Sequence, residues 1–259
     1  LNAVLVTGAG GTLGRRLVGE LARRGHTVAA ATTREGAPKN LGTIRYVRID
    51  LATGAGLDDA VADVGAIVHS ASSPPRAREV DLEGLLRLVK AAPQTHVVYP
   101  GIVGCDLIPT PYYGIKTETE QALIDSGSPW TILRATQFHQ LIWHWYATES
   151  RNPFLAVPKD TRYQVVDPLE VARRLADLVE SGPQGRVDDI GGPFAYEAAD
   201  LARSCLAAVK SKRRIIRYNK PGIVGAALRA GANLTPHRAA GQTWNDFVER
   251  QMERREREA

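Results

Sequence analysis

Eight residues near the start of the chain, Thr7-Gly8-Ala9-Gly10-Gly11-Thr12-Leu13-Gly14, restrict the fold more than any other stretch. They follow a short apolar run, Ala3 to Val6, that reads as a buried strand. They open a segment, Thr12 to Arg24, in which Leu13, Leu17, Val18 and Leu21 share one helical face. Gly25 fits the C-terminal cap of that helix. A strand that turns on glycine into a helix presents unpaired N–H groups and the positive end of the helix dipole. In this setting Gly8 makes the tight turn, Gly11 lets the backbone approach a pyrophosphate, and Gly14 permits close helix-to-strand packing. Thr7, Gly10, Thr12 and Leu13 complete the lining. A purely structural turn is the alternative. No Gly-Lys-Ser or Gly-Lys-Thr follows, so this is not a P-loop, and a dinucleotide with a central pyrophosphate fits better.

The rest of the chain supplies more units of the same kind. Strands are expected at His26 to Ala31, Thr43 to Ile49, Ala66 to His69, His96 to Tyr99 and Trp130 to Leu133. Helices are expected at Leu57 to Val61, Val80 to Ala91 and Thr117 to Leu123. This alternation predicts an α/β fold: a Rossmann-type parallel sheet flanked by helices, with a small C-terminal substrate lobe. The reading places a mainly dinucleotide-binding core in residues 1–136. Residues 137–259 then complete the sheet and add the lobe, interleaved with the core. In that half, helices are expected at Phe138 to Tyr146, Pro168 to Val179, Glu197 to Val209 and Thr243 to Ala259. Strands are expected at Arg162 to Val166 and Arg186 to Ile190, with a turn at Gly191-Gly192-Pro193.

The end of the second strand discriminates between cofactors. An acidic residue there would bind the ribose 2′-hydroxyl of NAD, whereas this chain reads Ala31-Thr32-Thr33-Arg34. Arg34 can pair with a 2′-phosphate and Thr33 can donate to it, which favours NADP over NAD. Arg15 is a second candidate cation. The bland alternative is a solvent-facing arginine before Pro38. Asp50 could accept from the adenine amino group while Leu51 packs on the ring; helix capping and core packing are the alternatives. Ser70, Ala71 and Ser72 are small enough to let the backbone pass beside the ribose and nicotinamide.

Tyr112 and Lys116 are four residues apart, so on a helix they share a face. An ammonium beside a phenol favours the phenolate and is expected to lower its pKa. Such a pair can pass a proton to or from a carbonyl oxygen. Surface decoration of a helix is the competing explanation, since the spacing is common.

The chain resembles the short-chain dehydrogenase/reductase superfamily in its extended or atypical branch, and within it the NmrA-like NAD(P)-binding proteins. The resemblance rests on Thr7-Gly8-x-x-Gly11-x-x-Gly14, on Pro111-Tyr112-Tyr113-x-x-Lys116 with Glu120, and on Thr131-Ile132-Leu133-Arg134-Ala135-Thr136-Gln137-Phe138. Val165-Val166-Asp167-Pro168-x-x-Val171-Ala172 and Gly191-Gly192-Pro193 extend it over nearly the whole chain. It implies that Tyr112 and Lys116 are the active-site pair, with Lys116 also holding the nicotinamide ribose. It also implies a serine after the fifth strand, where this chain has Gly101 in Val98-Tyr99-Pro100-Gly101-Ile102-Val103-Gly104. A substrate carbonyl beside Gly101 would lack that donor, worth about 2–4 kcal/mol in a transition state. A water, Thr110 or the substrate could replace it. Both reductases and non-enzymatic redox sensors resemble the chain in this way.

Gln137, Phe138, His139, Trp143, Trp145 and Tyr146 are expected to wall the substrate side. Aromatic faces would meet a flat substrate and Gln137 or His139 would bind an oxygen. A lobe core is the alternative, with His139 a structural residue rather than a general base. The expected function is NADP-dependent hydride transfer to a small, possibly aromatic, carbonyl or quinone. The alternative is a dinucleotide-binding regulator that acts through a protein partner; a nucleotide-sugar epimerase ranks third.

Composition narrows the remaining classes. The net charge of +5 over 259 residues is modest, and many of the basic residues lie on expected helix surfaces. With no zinc-finger or aromatic RNA-binding motif, no nucleic-acid partner is expected. The histidines show no metal-ligand spacing, so no metal is expected. No apolar run of about 18 residues or signal peptide is visible, so neither a membrane span nor export is expected. Two distant cysteines, Cys105 and Cys205, fit a reducing cytoplasm. Similar folds suggest a homodimer.

Overall fold

The structure is a computed structural model that describes residues 3–33, 40–148 and 150–258. In chain order its elements begin with β1 (Ala3–Thr7), α1 (Thr12–Arg23), β2 (Val28–Thr32), β3 (Ile44–Arg48), α2 (Leu57–Val61) and β4 (Val64–His69). A short 3₁₀ turn (Pro74–Arg76) and one π turn (Arg78–Leu82) lead into α3 (Glu83–Ala91). There follow β5 (His96–Ile102), α4 (Pro111–Asp125), β6 (Trp130–Ala135), α5 (His139–Ala147), β7 (Phe154–Pro158) and β8 (Arg162–Tyr163). The remainder comprises α6 (Pro168–Ser181), β9 (Gly185–Arg186), β10 (Tyr196–Glu197), α7 (Ala198–Ala208), β11 (Arg214–Tyr218), α8 (Gly222–Arg229) and α9 (Trp244–Glu258).

Seven strands form one parallel sheet in the order β3-β2-β1-β4-β5-β6-β9. The chain runs outward from β1 in one direction and from β4 in the other. The order therefore reverses between these two strands, and in such sheets ligands bind beyond the carboxyl ends at that point. Those ends are Thr7 and His69, which stand opposite each other in the β1–β4 register. The central strands are buried on both faces. Leu5, Ala29, Ile67, Val97 and Ile132 join Leu85, Leu88 and Leu123 from the helices in one core.

Two compact units divide the chain. The first takes residues 1–101, 111–134 and 171–188; the second takes 102–110, 135–170 and 189–259. Residues 171–188 belong to the first unit because β9 pairs with β6 at the sheet edge. The second unit has its own core, in which Ile142, Tyr146, Leu155, Val157, Leu201, Trp244 and Phe247 pack together.

Several element bounds differ from expectation, for local reasons. β2 starts at Val28, because the His26 amide donates to the Leu21 carbonyl at 3.0 Å, at the end of α1, instead of joining the sheet. β5 continues through Pro100 and Gly101; its register with β4 ends at Val98, so the proline's missing N–H comes after that pairing. The strand expected over Arg162 to Val166 shortens to β8. There Gln164 turns inward, donating to the Gly192 carbonyl (2.9 Å) and accepting from the Thr235 amide (2.8 Å). The parallel pair β7–β11 was not expected at all, because Arg214 and Arg217 break its apolar pattern.

Candidate functional site

The glycine turn is built to hold its backbone bare. Gly8 has φ +65°, and a Cβ there would lie 2.6 Å from Ala71 Cα. A Cβ on Gly14 would lie 2.1 Å from the Gly8 carbonyl oxygen, so α1 can approach β1 only without one. The Gly11 amide donates to the Gly8 carbonyl at 2.9 Å, closing the turn, and space around Gly10 is open. Gly11 caps α1 without a side-chain hydrogen bond, and the first turn carries no acidic residue. The helix therefore offers its first amides and its positive end to an external anion. Gly8→Ala is expected to cost more than 1 kcal/mol of stability, since it combines a positive φ with a backbone collision. It should also weaken dinucleotide binding at least tenfold; thermal unfolding and fluorescence titration measure the two effects.

Beyond the ends of β2 and β3 lies a cavity of about 370 Å³ lined by Thr33, Arg48, Ile49, Asp50, Ala55 and Gly56. Thr33 and Asp50, both anticipated, come together here. Arg48 was missed; its signal was a cation two residues before Asp50 in an alternating strand. Asp50 Oδ1 also accepts from the Ala52 amide at 2.9 Å, an Asx turn that fixes the carboxylate. Leu51 is buried, packs against Gly84 and belongs to the hydrophobic core, the alternative weighed beside a ring contact. Arg34 lies outside the described residues.

The second cluster joins β4, α4 and the π turn before α3. Tyr112 and Lys116 both lie on α4, one turn apart. Tyr112 Oη is 2.7 Å from Ser72 Oγ, and Ser72 donates to Asp81 Oδ1 at 2.8 Å. Asp81 is fully buried and also accepts from the Ser73 amide (3.2 Å) and from Lys116 Nζ (3.3 Å). Lys116 Nζ stands 4.5 Å from the centre of the Tyr99 ring. Burial raises the Tyr112 phenol above its ordinary pKa, outweighing Lys116 and Ser72, which act in the opposite direction. Lys116 acts downward as expected, but the expected net lowering is corrected: burial outweighs it, and Tyr112 rests as a protonated donor.

His69 ties this cluster to the glycine turn. Its Nε2 faces the Asp81 carbonyl oxygen at 3.0 Å, and a carbonyl can only accept. The ring proton is therefore on Nε2, and Nδ1 accepts from Thr7 Oγ1 at 2.9 Å. Thr7 Oγ1 in turn accepts from the Ala71 amide at 3.1 Å, and Ser70 Oγ donates to the Thr7 carbonyl at 2.6 Å. Burial pushes the His69 pKa down, so the neutral ring is a fixed spacer. Sequence reading missed Asp81 and His69. The signal for Asp81 was a carboxylate four residues before Leu85 and seven before Leu88, on the buried face of the coming helix.

Gly101 has a packing reason. A Cβ there would lie 2.2 Å from Glu120 Oε1 and 3.0 Å from Arg134 Cγ. Glu120 and Arg134 form a buried bidentate pair, with Nε to Oε1 at 2.9 Å and Nη2 to Oε2 at 2.6 Å. Any side chain at 101 points at this pair, so the position is glycine for volume.

In the second unit Gln137, Phe138, His139 and Trp143 fall together at the start of α5. His139 is fully buried, its ring 5.1 Å from Phe247 and 5.9 Å from Trp244. Burial brings its pKa down to about 4. It therefore belongs to the core of this unit, a correction to its place on a substrate wall. Gln137 is buried too, and its carbonyl accepts from the Val166 amide at 3.0 Å. Trp143 and Phe138 are half-buried, Trp143 meeting Phe247 edge-on. Trp145 is exposed and meets Tyr163 edge-on.

Residues 8–161 match the NAD(P)H-binding family. The chain belongs to this family. Its fold is shared with a short-chain dehydrogenase/reductase superfamily protein from Agrobacterium tumefaciens, at a TM-score of 0.71 and 18% identity over 99% of this chain and 98% of that one. The chain is 30% identical over 242 residues to the (4-alkanoyl-5-oxo-2,5-dihydrofuran-3-yl)methyl phosphate reductase of Streptomyces griseus subsp. griseus, covering 90% of this chain and 82% of that one. It is 26% identical to the photosystem II assembly factor Ycf39 of Cyanophora paradoxa, over 78% of this chain and 67% of that one. The structure of MoeE5 in complex with UDP-glucose and NAD superposes with a TM-score of 0.74 at 18% identity, over 99% of both chains. The family match and the bare glycine turn agree on the ligand class. Among the described residues no helix is long and apolar enough to cross a membrane.

Proposed function

We propose that this chain is an NADPH-dependent reductase of a small carbonyl or quinone compound. The carrying observation is Tyr112, a protonated phenol on the same helical face as the buried Lys116, beside the carboxyl ends of β1 and β4. The Gly8–Gly14 turn would hold the pyrophosphate against the first amides of α1, and Ser70, Ala71 and Lys116 would flank the nicotinamide ribose. When bound, the nicotinamide supplies hydride. Tyr112 gives its proton to the substrate oxygen as carbon is reduced, and Lys116 stabilises the phenolate left behind. The Streptomyces relative supports this reading, because its name describes reduction of an oxo-dihydrofuran phosphate. A reducing compartment such as the cytoplasm suits the two buried free cysteines. The test is consumption of NADPH, followed by its absorbance, with a panel of ketones, enones and quinones; no turnover with any of them counts against the proposal.

The preference for NADPH rests on Arg34 in the sequence and on Arg48 in the cavity beside Thr33. Each guanidinium would form charge-assisted hydrogen bonds to the 2′-phosphate. Arg34→Ala and Arg48→Ala are each expected to weaken NADPH binding about tenfold while leaving NADH nearly unchanged, in line with about 1.5 kcal/mol per charged hydrogen bond. Equal losses for the two coenzymes would remove the phosphate contact.

The Ycf39 relative favours a second reading, a dinucleotide-binding factor that acts through a protein partner. In that case cofactor changes partner affinity without steady turnover. Partner capture that is the same with and without NADPH would exclude it.

A further inference from the structure

Gly101 leaves no side chain at the β5 position, and the Glu120–Arg134 pair fills the direction in which one would point. A hydroxyl nevertheless reaches Tyr112 from another strand end. Ser72, in the loop after β4, lies 2.7 Å from Tyr112 Oη. It has a single proton, and that proton goes to Asp81 Oδ1 at 2.8 Å. A carboxylate can only accept, so at rest Tyr112 donates to Ser72. The chain of donors runs Tyr112, Ser72, Asp81.

We propose that Ser72 is a catalytic residue whose hydroxyl hydrogen-bonds the Tyr112 oxygen as that oxygen loses its proton, with Asp81 as the residue that positions it. The inference rests on the reductase reading. Substrate carbon gains a hydride from the reduced dinucleotide, and substrate oxygen gains the Tyr112 proton. Tyr112 Oη is then an anion and no longer a donor, and the Ser72 hydroxyl swings about its Cβ–Oγ bond from Asp81 to Oη. Ser72 keeps its own proton throughout, and Tyr112 regains one from water. Asp81 remains satisfied by the Ser73 amide and Lys116 Nζ.

The geometry makes this swing feasible. Ser72 is exposed, so its rotor is not locked by packing, whereas Asp81 is fully buried and held by the Ser73 amide and Lys116 Nζ. Lys116 and the adjacent Tyr113 from α4, Tyr99 from β5 and Asp81 from the π turn complete the ionisable surroundings of Tyr112. His69 lies behind Asp81 and is neutral.

The experiment labels the tyrosine ζ-carbons with carbon-13 and follows the Tyr112 resonance, assigned by its loss in Tyr112→Phe, as pH rises. Ser72→Ala removes a donor to the phenolate, so the Tyr112 midpoint should rise by about one pH unit, while Ser72→Thr stays near wild type. With phenanthrenequinone as probe, Ser72→Ala should lose about tenfold in kcat, keep its NADPH Kd within about twofold, and add no further loss in the Tyr112→Phe background. An unmoved or lowered midpoint overturns the proposal. So does wild-type turnover by Ser72→Ala in a protein that Tyr112→Phe inactivates. A wild-type protein inert toward this quinone and toward every other member of the ketone, enone and quinone panel overturns the reductase reading and Ser72's catalytic role with it, while the midpoint still reports whether the hydrogen bond exists.

Discussion

Replacing Tyr112 with phenylalanine should lower kcat by about 10²–10⁴-fold, the usual contribution of a positioned general acid. That range corresponds to about 3–5 kcal/mol of barrier. The variant loses only an oxygen, so the ring that packs beside Tyr113 remains and the fold should stand. NADPH affinity should change little, because the proposed site would hold the pyrophosphate on backbone amides of the glycine turn and not on the phenol. The pH dependence has a definite sign. Burial raises the Tyr112 pKa, so the donor form is complete across neutral pH. Reduction should therefore be flat from neutrality upward and fall only at strongly alkaline pH, as the proton is lost. Steady-state kinetics with fluorescence titration separate these effects. Wild-type turnover by the phenylalanine variant would remove Tyr112 from the acid role.

The second large effect is on stability. Glu120→Ala should destabilise the protein by about 3–5 kcal/mol, because it leaves the buried Arg134 guanidinium without this counter-ion. Arginine cannot shed its proton to escape the penalty. Against a typical total of about 5–15 kcal/mol, such a loss endangers the fold. Urea unfolding should show a lower midpoint with an unchanged slope. A shift of less than about 1 kcal/mol would mean that solvent reaches Arg134 readily.

What could be read from the sequence was whatever chain-local chemistry determines. The α1 face of Leu13, Leu17, Val18 and Leu21 and the Gly8, Gly11, Gly14 spacing depend on neighbours three or four residues away, and both are found where expected. The i, i+4 relation of Tyr112 and Lys116 is of the same kind. What escaped depends on distant partners. Ser72, Asp81 and His69 form one network only because β4, the π turn and α4 meet in space. The sign of the Tyr112 shift was misjudged because spacing reveals the ammonium but neither the burial nor the carboxylate that shares it. His139 sits in a run of aromatic residues that reads equally as wall or core, and the burial that decides the matter comes from Trp244 and Phe247, about a hundred residues later.

A crystal of the protein grown with NADPH tests the central claim most directly. Density for the two bridging phosphates should lie against the main-chain nitrogens from Gly10 to Leu13, with the nicotinamide facing Tyr112. A coenzyme bound elsewhere, or crystals and calorimetry that both register no uptake of NADPH or NADH, would contradict it.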